Sequence, residues 1–513
     1  MRANRVARFG QNSVSVVRDA FGRRAALVSF RTRGRRFARK PQEATVRAAL
    51  GVFSTLACIA VGASCSSGSP PAGYGGFTSL QNDGGTGAST ASSSGGSGGT
   101  GGSSGGVPIF GGGSSSDGGT SNGTCAATNP NGDNDKDGWT PAQGDCNDCD
   151  PNVNPGAIDV LHTNPDGGAP TWGDEDCSGN PGDNAMACDT GLVLTDVDPN
   201  DAAKSIELCA QATEASRKYG VISATYVRAD GTAQPSPGAQ VGIESAFGTN
   251  VHVQGGANML ALSSGYARTI GQAGACNGIS CETNPCPTTG YTCTPPTGFP
   301  EDDPACPPTP TIADDIALEL QIRVPSNATG YSFNFKFYSF EYPDYVCDTK
   351  GYNDQFIALV TPPPAGAYVP SGSMGGNISF DSNKHPVSVN LGFFDVCDPT
   401  TPSRFASSCN STKGATCPAI PTPYCPLGVG ELDGTGFDIW RGSRDGGAPL
   451  SAGATRWLAT QAPATPASII TIRFAIWDAG NAEFDSTVLI DNFQWVANGG
   501  AVAVGTTPVP APK

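Results

Sequence analysis

Residues 316–324 read IALELQIRV, with Ile316, Leu318, Leu320, Ile322 and Val324 at alternate positions and Ala317, Glu319, Gln321 and Arg323 between them. A period of two sends the first set to one face of a β-strand and the second set to the other. The same period returns in Phe333, Phe335 and Phe337 against Asn334, Lys336 and Tyr338. It returns again in Ile470, Ile472, Phe474 and Ile476 against Thr471, Arg473, Ala475 and Trp477. Half-buried antiparallel strands between Gly- and Pro-rich turns predict a mainly β fold, a jelly-roll-like β-sandwich. The aromatic residues on these faces are read as core first and as sugar platforms second. One helix is expected over residues 201–220, where Ala202, Ile206, Cys209, Ala210 and Thr213 recur at helical spacing and Gly220 closes the run.

The chain has 513 residues, but Gly 69 and Pro 42 mean that much of it is linker or loop. Of 30 Lys and Arg, 13 fall in residues 1–47 with two of the 46 acids, which leaves 17 basic residues against 44 acidic ones. So acidic a chain, without a basic stripe, is repelled by phosphate backbones, and nucleic acid is excluded as a partner.

Residues 48–64, AALGVFSTLACIAVGAS, carry no charge, follow Arg47 and end in small residues before Cys65. They read as the apolar part of a signal peptide spanning residues 46–64, too short for a comfortable membrane span. Residues 1–45 are too long for its basic region and are expected to be an untranslated or disordered extension. Gly62-Ala63-Ser64-Cys65 resembles a bacterial lipobox, which makes Cys65 the lipidated residue and a membrane the partner of its anchor. Residues 65–124 then form a Gly/Ser-rich disordered linker, too poor in apolar residues to fold. The linker from Ser66 to Thr124 spans about 40 Å root-mean-square as a flexible chain. Residues 501–513 are expected to be a disordered tail.

Setting Cys58 and Cys65 aside leaves 16 of 18 cysteines, all downstream of an export signal, where disulfides are the default. The cluster Cys276, Cys281, Cys286, Cys293 and Cys306 reads as a stapled surface excursion, as does Cys397, Cys409, Cys417 and Cys425. Between residues 133 and 151, DNDKDGWTPAQGDCNDCDP, the acids Asp133, Asp135 and Asp137 followed by Gly138 have the spacing that turns three carboxylates onto one calcium. Gly144 stands where an EF-hand needs its twelfth-position Glu, so this is not an EF-hand.

The longer pattern runs through Asp145, Cys146, Asp148 and Asp150, then Asn154-Pro155-Gly156-Ala157, then Asp174, Asp176 and Cys177. It resembles the MopE-type metal-binding motif of bacterial surface proteins, and delimits a small irregular module at residues 125–187. Asn147 and Cys149 depart from that motif, and residues 161–171 are inserted. The resemblance implies metal binding. All-oxygen ligands favour Ca2+, whereas copper wants His, Met or thiolate. Cys146 and Cys177 are expected to form a disulfide within this module.

Further blocks lie in order between residues 188 and 500. They are Asp198-Pro199-Asn200-Asp201, Leu262-Ser263-Ser264-Gly265, Ser339-Phe340-Glu341-Tyr342-Pro343, Tyr352-Asn353-Asp354-Gln355-Phe356, Trp477-Asp478-Ala479-Gly480 and Asp485-Ser486-Thr487 through Asp491-Asn492-Phe493. Together they resemble the choice-of-anchor L domain of bacterial surface proteins. That resemblance implies secretion and a β-rich fold, and it implies no established reaction. Asn481 departs from it, standing where an acid is expected. Glu341, Asp344, Asp354, Asp478, Asp485 and Asp491 fall at strand ends or turns, where several could hold a calcium at the sandwich edge or bond backbone amides.

The folded region has no H-E-x-x-H, P-loop lysine motif or G-x-S-x-G elbow, which removes zinc-peptidase, nucleotide and serine-hydrolase chemistry. The expectation is a non-catalytic, lipid-anchored or secreted protein of the outer membrane and cell surface. Its Ca2+-stabilised modules would serve adhesion or bind an unknown surface ligand, a glycan or a protein. The alternatives are a glycoside hydrolase using Glu341 with Asp478, and surface copper capture.

Overall fold

The computed structural model describes residues 17–18, 24–25 and 129–510, apart from 165, 235, 277, 282–285, 287–292, 302–305, 307, 310, 349, 391–392, 399–424, 439–451 and 498. The expected signal peptide, lipidated Cys65, linker, Cys409 and Cys417 lie outside the described residues. The chain divides into two units, Met1–Gly102 and Ser103–Lys513. In the first, Val17–Arg18 pairs antiparallel with Arg24–Ala25.

The second unit is mainly β. Its principal strands are β1 (Gly220–Val227), β2 (Val241–Glu244), β3 (Met259–Ser263), β4 (Ile312–Arg323), β5 (Ala328–Ser339), β6 (Gln355–Thr361), β7 (Gly376–Asn377) and β8 (Val387–Ser388). After these come β9 (Phe394–Val396), β10 (Gly453–Thr455), β11 (Leu458–Pro463), β12 (Ile469–Ala479), β13 (Ser486–Ala497) and β14 (Gly505–Pro508). One sheet has the order β7-β6-β12-β4-β1, with β8 also on β6. The other has the order β9-β10-β5-β13-β3-β2, with β11 pairing both β5 and β14.

The strands foreseen from the period of two are β4, β5 and β12. In β4 and β12 the apolar faces come into register, Leu318 opposite Phe474 and Leu320 opposite Ile472, so one continuous face is apolar. That face meets the corresponding face of the second sheet. Phe333 of β5 packs edge-on against Phe474 of β12, and Phe335 lies tilted against Phe356 of β6, each pair with centroids 5.0 Å apart. Ile316, Leu318, Leu320, Ile322, Phe333, Phe335 and Phe337 are all fully buried in this shared core. Each such burial stabilises by about 1.5–3 kcal/mol.

Three expectations are corrected. The helix is only α1 (Pro199–Lys204). Asp198 caps it by accepting the Asn200 amide, but Glu207 adopts left-handed backbone (φ 69°), and the Cys188–Cys209 disulfide holds the next turn elsewhere. Gly220 opens β1 instead of closing a helix. The residues after 500 do not all trail away, because β14 pairs with Leu458–Gln461 of β11. The alternate positions Lys336, Tyr338 and Trp477 are also buried, because loops cover both outer faces. Phe247, Phe340 and Phe437 pack with Tyr338 over one sheet, and Phe299, Cys286 and Cys293 with Trp477 over the other. Cys286 and Cys293 of the first cysteine-rich excursion are therefore part of the cover over one sheet.

Six disulfides occur among the described residues: Cys146–Cys177, Cys188–Cys209, Cys276–Cys281, Cys286–Cys293, Cys306–Cys347 and Cys397–Cys425. The first is the pairing expected within the acidic module. That module is fastened to the sheets at the turn between β4 and β5. Ile158 donates to Asn327 Oδ1 at 3.0 Å, Asn327 Nδ2 donates back to the Ile158 carbonyl at 2.8 Å, and Ser326 Oγ donates to Asn154 Oδ1 at 2.7 Å.

Candidate metal centre

In the acidic module, alternate aspartates each spend one oxygen on a nearby backbone amide. Asp135 Oδ1 accepts from Asp137 N at 3.2 Å, Asp137 Oδ1 from Trp139 N at 2.6 Å and Asp145 Oδ1 from Asn147 N at 2.8 Å. These Asx turns wind the chain tightly, with Lys136 at φ 68° and Gly138 at φ 90°. The second oxygens, Oδ2 of Asp135, Asp137 and Asp145, are shielded from solvent and have no hydrogen-bond partner. Ligand atoms of these three residues lie within 4.8 Å of one another, as do those of Asp133, Asp135 and Asp148. Opposite oxygens around a calcium, each 2.3–2.6 Å from it, are about 5 Å apart. The donor set therefore fits a hard divalent cation.

Electrostatics agree. Burial raises the carboxyl pKa of Asp135, Asp137 and Asp145, backbone amides partly oppose it, and neighbouring acids push it further up. Nearby soft ligands are committed elsewhere. Cys146 and Cys177 are bridged, and His162 Nε2 meets Glu175 Oε1 at 2.5 Å. Copper is thus left without its preferred donors.

Other predicted module residues fall outside this centre. Asp150 bonds Asn152, and Asp174 accepts the Gly179 amide at 3.1 Å. Asp176 instead joins Asp159 and Asp183, their ligand atoms within 4.8 Å. Sequence reasoning missed Asp159 and Asp183. Asp159 stands two residues after Pro155-Gly156-Ala157, next to the stretch already read as part of the module.

In the sheet unit, Glu341, Asp354, Asp478 and Asp485 are all buried. Asp354 accepts Ala479 N at 2.8 Å and Ser486 Oγ at 2.5 Å, Asp485 accepts Cys281 N at 2.8 Å, and Glu341 accepts Asp354 N at 3.3 Å. Burial, then mutual repulsion, holds the carboxyls of Glu341, Asp354 and Asp478 well above the ordinary carboxylate range, and burial raises Asp485 likewise. With Glu341 and Asp478 both sealed from solvent, this pair lies in no cleft that a sugar could enter.

Asp491 does not belong to that group. It lies with Asp189 and Glu207, two residues that the Cys188–Cys209 disulfide brackets and that sequence reasoning did not single out. Burial and the charges of Asp491 and Asp189 push Glu207 up to about 9, and burial pushes Asp491 up to about 7.

A cavity of about 390 Å³ beside α1, lined by Val197, Pro199, Thr225, Tyr226, Gln234 and Pro237, contains none of these acids. Tyr226 Oη and Gln234 Nε2, on two of its lining residues, are buried without hydrogen-bond partners. Compared with family models, curated proteins and solved structures, the chain matches none.

Proposed function

We propose that this is a non-catalytic secreted protein of the cell surface, held by a lipid on Cys65, whose calcium-stabilised β unit binds a surface ligand, a glycan or a protein. The observation that carries the calcium reading is the convergence of three shielded, unpartnered oxygens from Asp135, Asp137 and Asp145. Export is supported by six disulfides, which persist in oxidising compartments. Among the described residues no helix is long and apolar enough to cross a membrane. Two facing antiparallel sheets support the sandwich part of a jelly-roll-like sandwich.

The test is thermal unfolding of the oxidised protein with EGTA, with calcium and with copper. Calcium at a hundredfold excess over its Kd adds about 2.7 kcal/mol, a rise in Tm of about 5 °C. An unchanged Tm removes the calcium reading, and a response to copper alone replaces it with metal capture.

A further inference from the structure

The loop that gathers Asp135, Asp137 and Asp145 also carries contacts between the module and the β unit. Asp137 Oδ1 accepts the Trp139 amide at 2.6 Å, which fixes where the Trp139 ring leaves the loop. Arg217, in the segment between α1 and β1, lies over that ring with its guanidinium carbon 4.1 Å from the centroid, and donates to the Gly138 carbonyl. A Cβ on Gly138 would lie 2.7 Å from Arg217 Nη2, and φ 90° there already calls for glycine, so the sequence leaves this space to the arginine.

Gly156 is the second meeting point. A Cβ here would lie 3.0 Å from the Arg217 carbonyl oxygen, 3.2 Å from Asn154 Oδ1 and 3.4 Å from Trp139 Nε1. The β4–β5 turn reaches the same place. Ser326 N donates to the Gly156 carbonyl at 2.8 Å and Ser326 Oγ to Asn154 Oδ1 at 2.7 Å, while Gly156 N donates to that same Asn154 oxygen at 2.9 Å. Asn154 is 0 % exposed, so these bonds are sheltered from water.

The acids oppose this closure. Between Asp133 and Asp148 the loop holds five aspartates and one base, the exposed Lys136. Ligand atoms of Asp135, Asp137 and Asp145 lie within 4.8 Å of one another, and their sealed, unpartnered oxygens repel. A loop that relaxes by widening carries Gly138 and Trp139 away from Arg217, because both directly follow Asp137 in the chain.

We propose that this loop is a calcium-operated clamp: with Asp135, Asp137 and Asp145 drawn together on the ion, Gly138 and Trp139 seat against Arg217 and the module docks on the β4–β5 turn. Calcium then decides whether module and β unit move as one body. The inference rests on the calcium reading of this loop and deepens it, from an ion that stabilises to an ion that controls an internal joint. Linkage makes the coupling reciprocal, so whatever factor calcium adds to docking, docking adds to calcium affinity. Residues outside the acidic loop therefore influence the ion. Asn327, 2 % exposed, is one, through the two hydrogen bonds it exchanges with Ile158. Arg217 is another, and lysine in its place keeps the charge while losing the planar group that stacks.

The experiment uses the oxidised full-length protein, with calcium affinity read by titration calorimetry and closure of the joint by amide hydrogen exchange. Calcium is expected to slow exchange at least tenfold at the Gly156, Ile158 and Ser326 amides, while exchange in β14 stays as it was. Asn327→Ala is expected to weaken calcium binding about fivefold or more. Arg217→Lys, at an exposed position that leaves the fold intact, is expected to weaken it about two- to fivefold. Calcium binding without slowed exchange at those three amides, or an Arg217→Lys protein that binds calcium as the wild type does, overturns the clamp and leaves the calcium reading standing. A wild type that binds no calcium removes both.

Discussion

Glu244 allows a pH experiment with a computable size. It sits in β2 opposite Met259 and is 2 % exposed. Gln272 Nε2 donates to its Oε2 at 2.6 Å, while Oε1 has no partner. Arg268 acts on its charge from nearby, but spends its own guanidinium on the Val241 carbonyl at 2.5 Å and the Ala267 carbonyl at 2.6 Å. Burial outweighs both helpers and lifts the carboxyl from 4.5 to about 7. Between those values the folded chain holds a proton that the unfolded chain releases. Stability therefore stands highest below pH 4.5 and falls as pH rises towards 7. At about 1.4 kcal/mol per pH unit, the interval corresponds to about 3 kcal/mol. Glu244→Gln keeps the acceptor for Gln272 and cannot ionise, so it lacks this loss. Urea unfolding of both proteins from pH 4 to pH 8, in saturating calcium, isolates Glu244 as the difference between them. That difference should change by about 3 kcal/mol, with the variant gaining as pH rises. A difference constant to within about 0.5 kcal/mol refutes the reasoning.

Asp145→Asn removes one of three converging oxygens, and should cut the calcium-dependent rise in Tm by more than half in a calcium titration. Gly265→Ala forces a Cβ against Asp485 and should cost about 1–3 kcal/mol in denaturant unfolding. The double change Cys188→Ser with Cys209→Ser opens a loop with a sequence separation of 21 and should cost about 3 kcal/mol, read from the shift of the urea midpoint.

Strands were legible because each carries its own period over nine or so residues, and β4 and β12 could be read without knowing their neighbours. The burial of Lys336, Tyr338 and Trp477 was not, since it depends on Phe247, Phe299 and Phe437, single aromatics in stretches with no period. Lys336, fully buried, finds Glu431 and the Thr455 carbonyl, 95 and 119 residues away. The helix failed for the same class of reason, a left-handed Glu207 and a disulfide overriding helical spacing. Acids of the module were readable because Asp133 to Asp148 fold upon themselves within one short loop. Asp189 and Glu207 were not, because they meet Asp491 across more than 280 residues.

β11 bonds β5 along one side, and on the other Leu458–Gln461 would present free amides and carbonyls were they not paired with Gly505–Pro508. A bare strand margin of this kind recruits further copies, edge to edge. Proline cannot donate to a ladder, and with Pro508 and Pro510 the added strand comes to an end instead of offering a fresh template. These few residues guard the sheet margin against self-association. Chains cut after residue 500 are expected to form oligomers in sedimentation, where the intact chain stays dispersed.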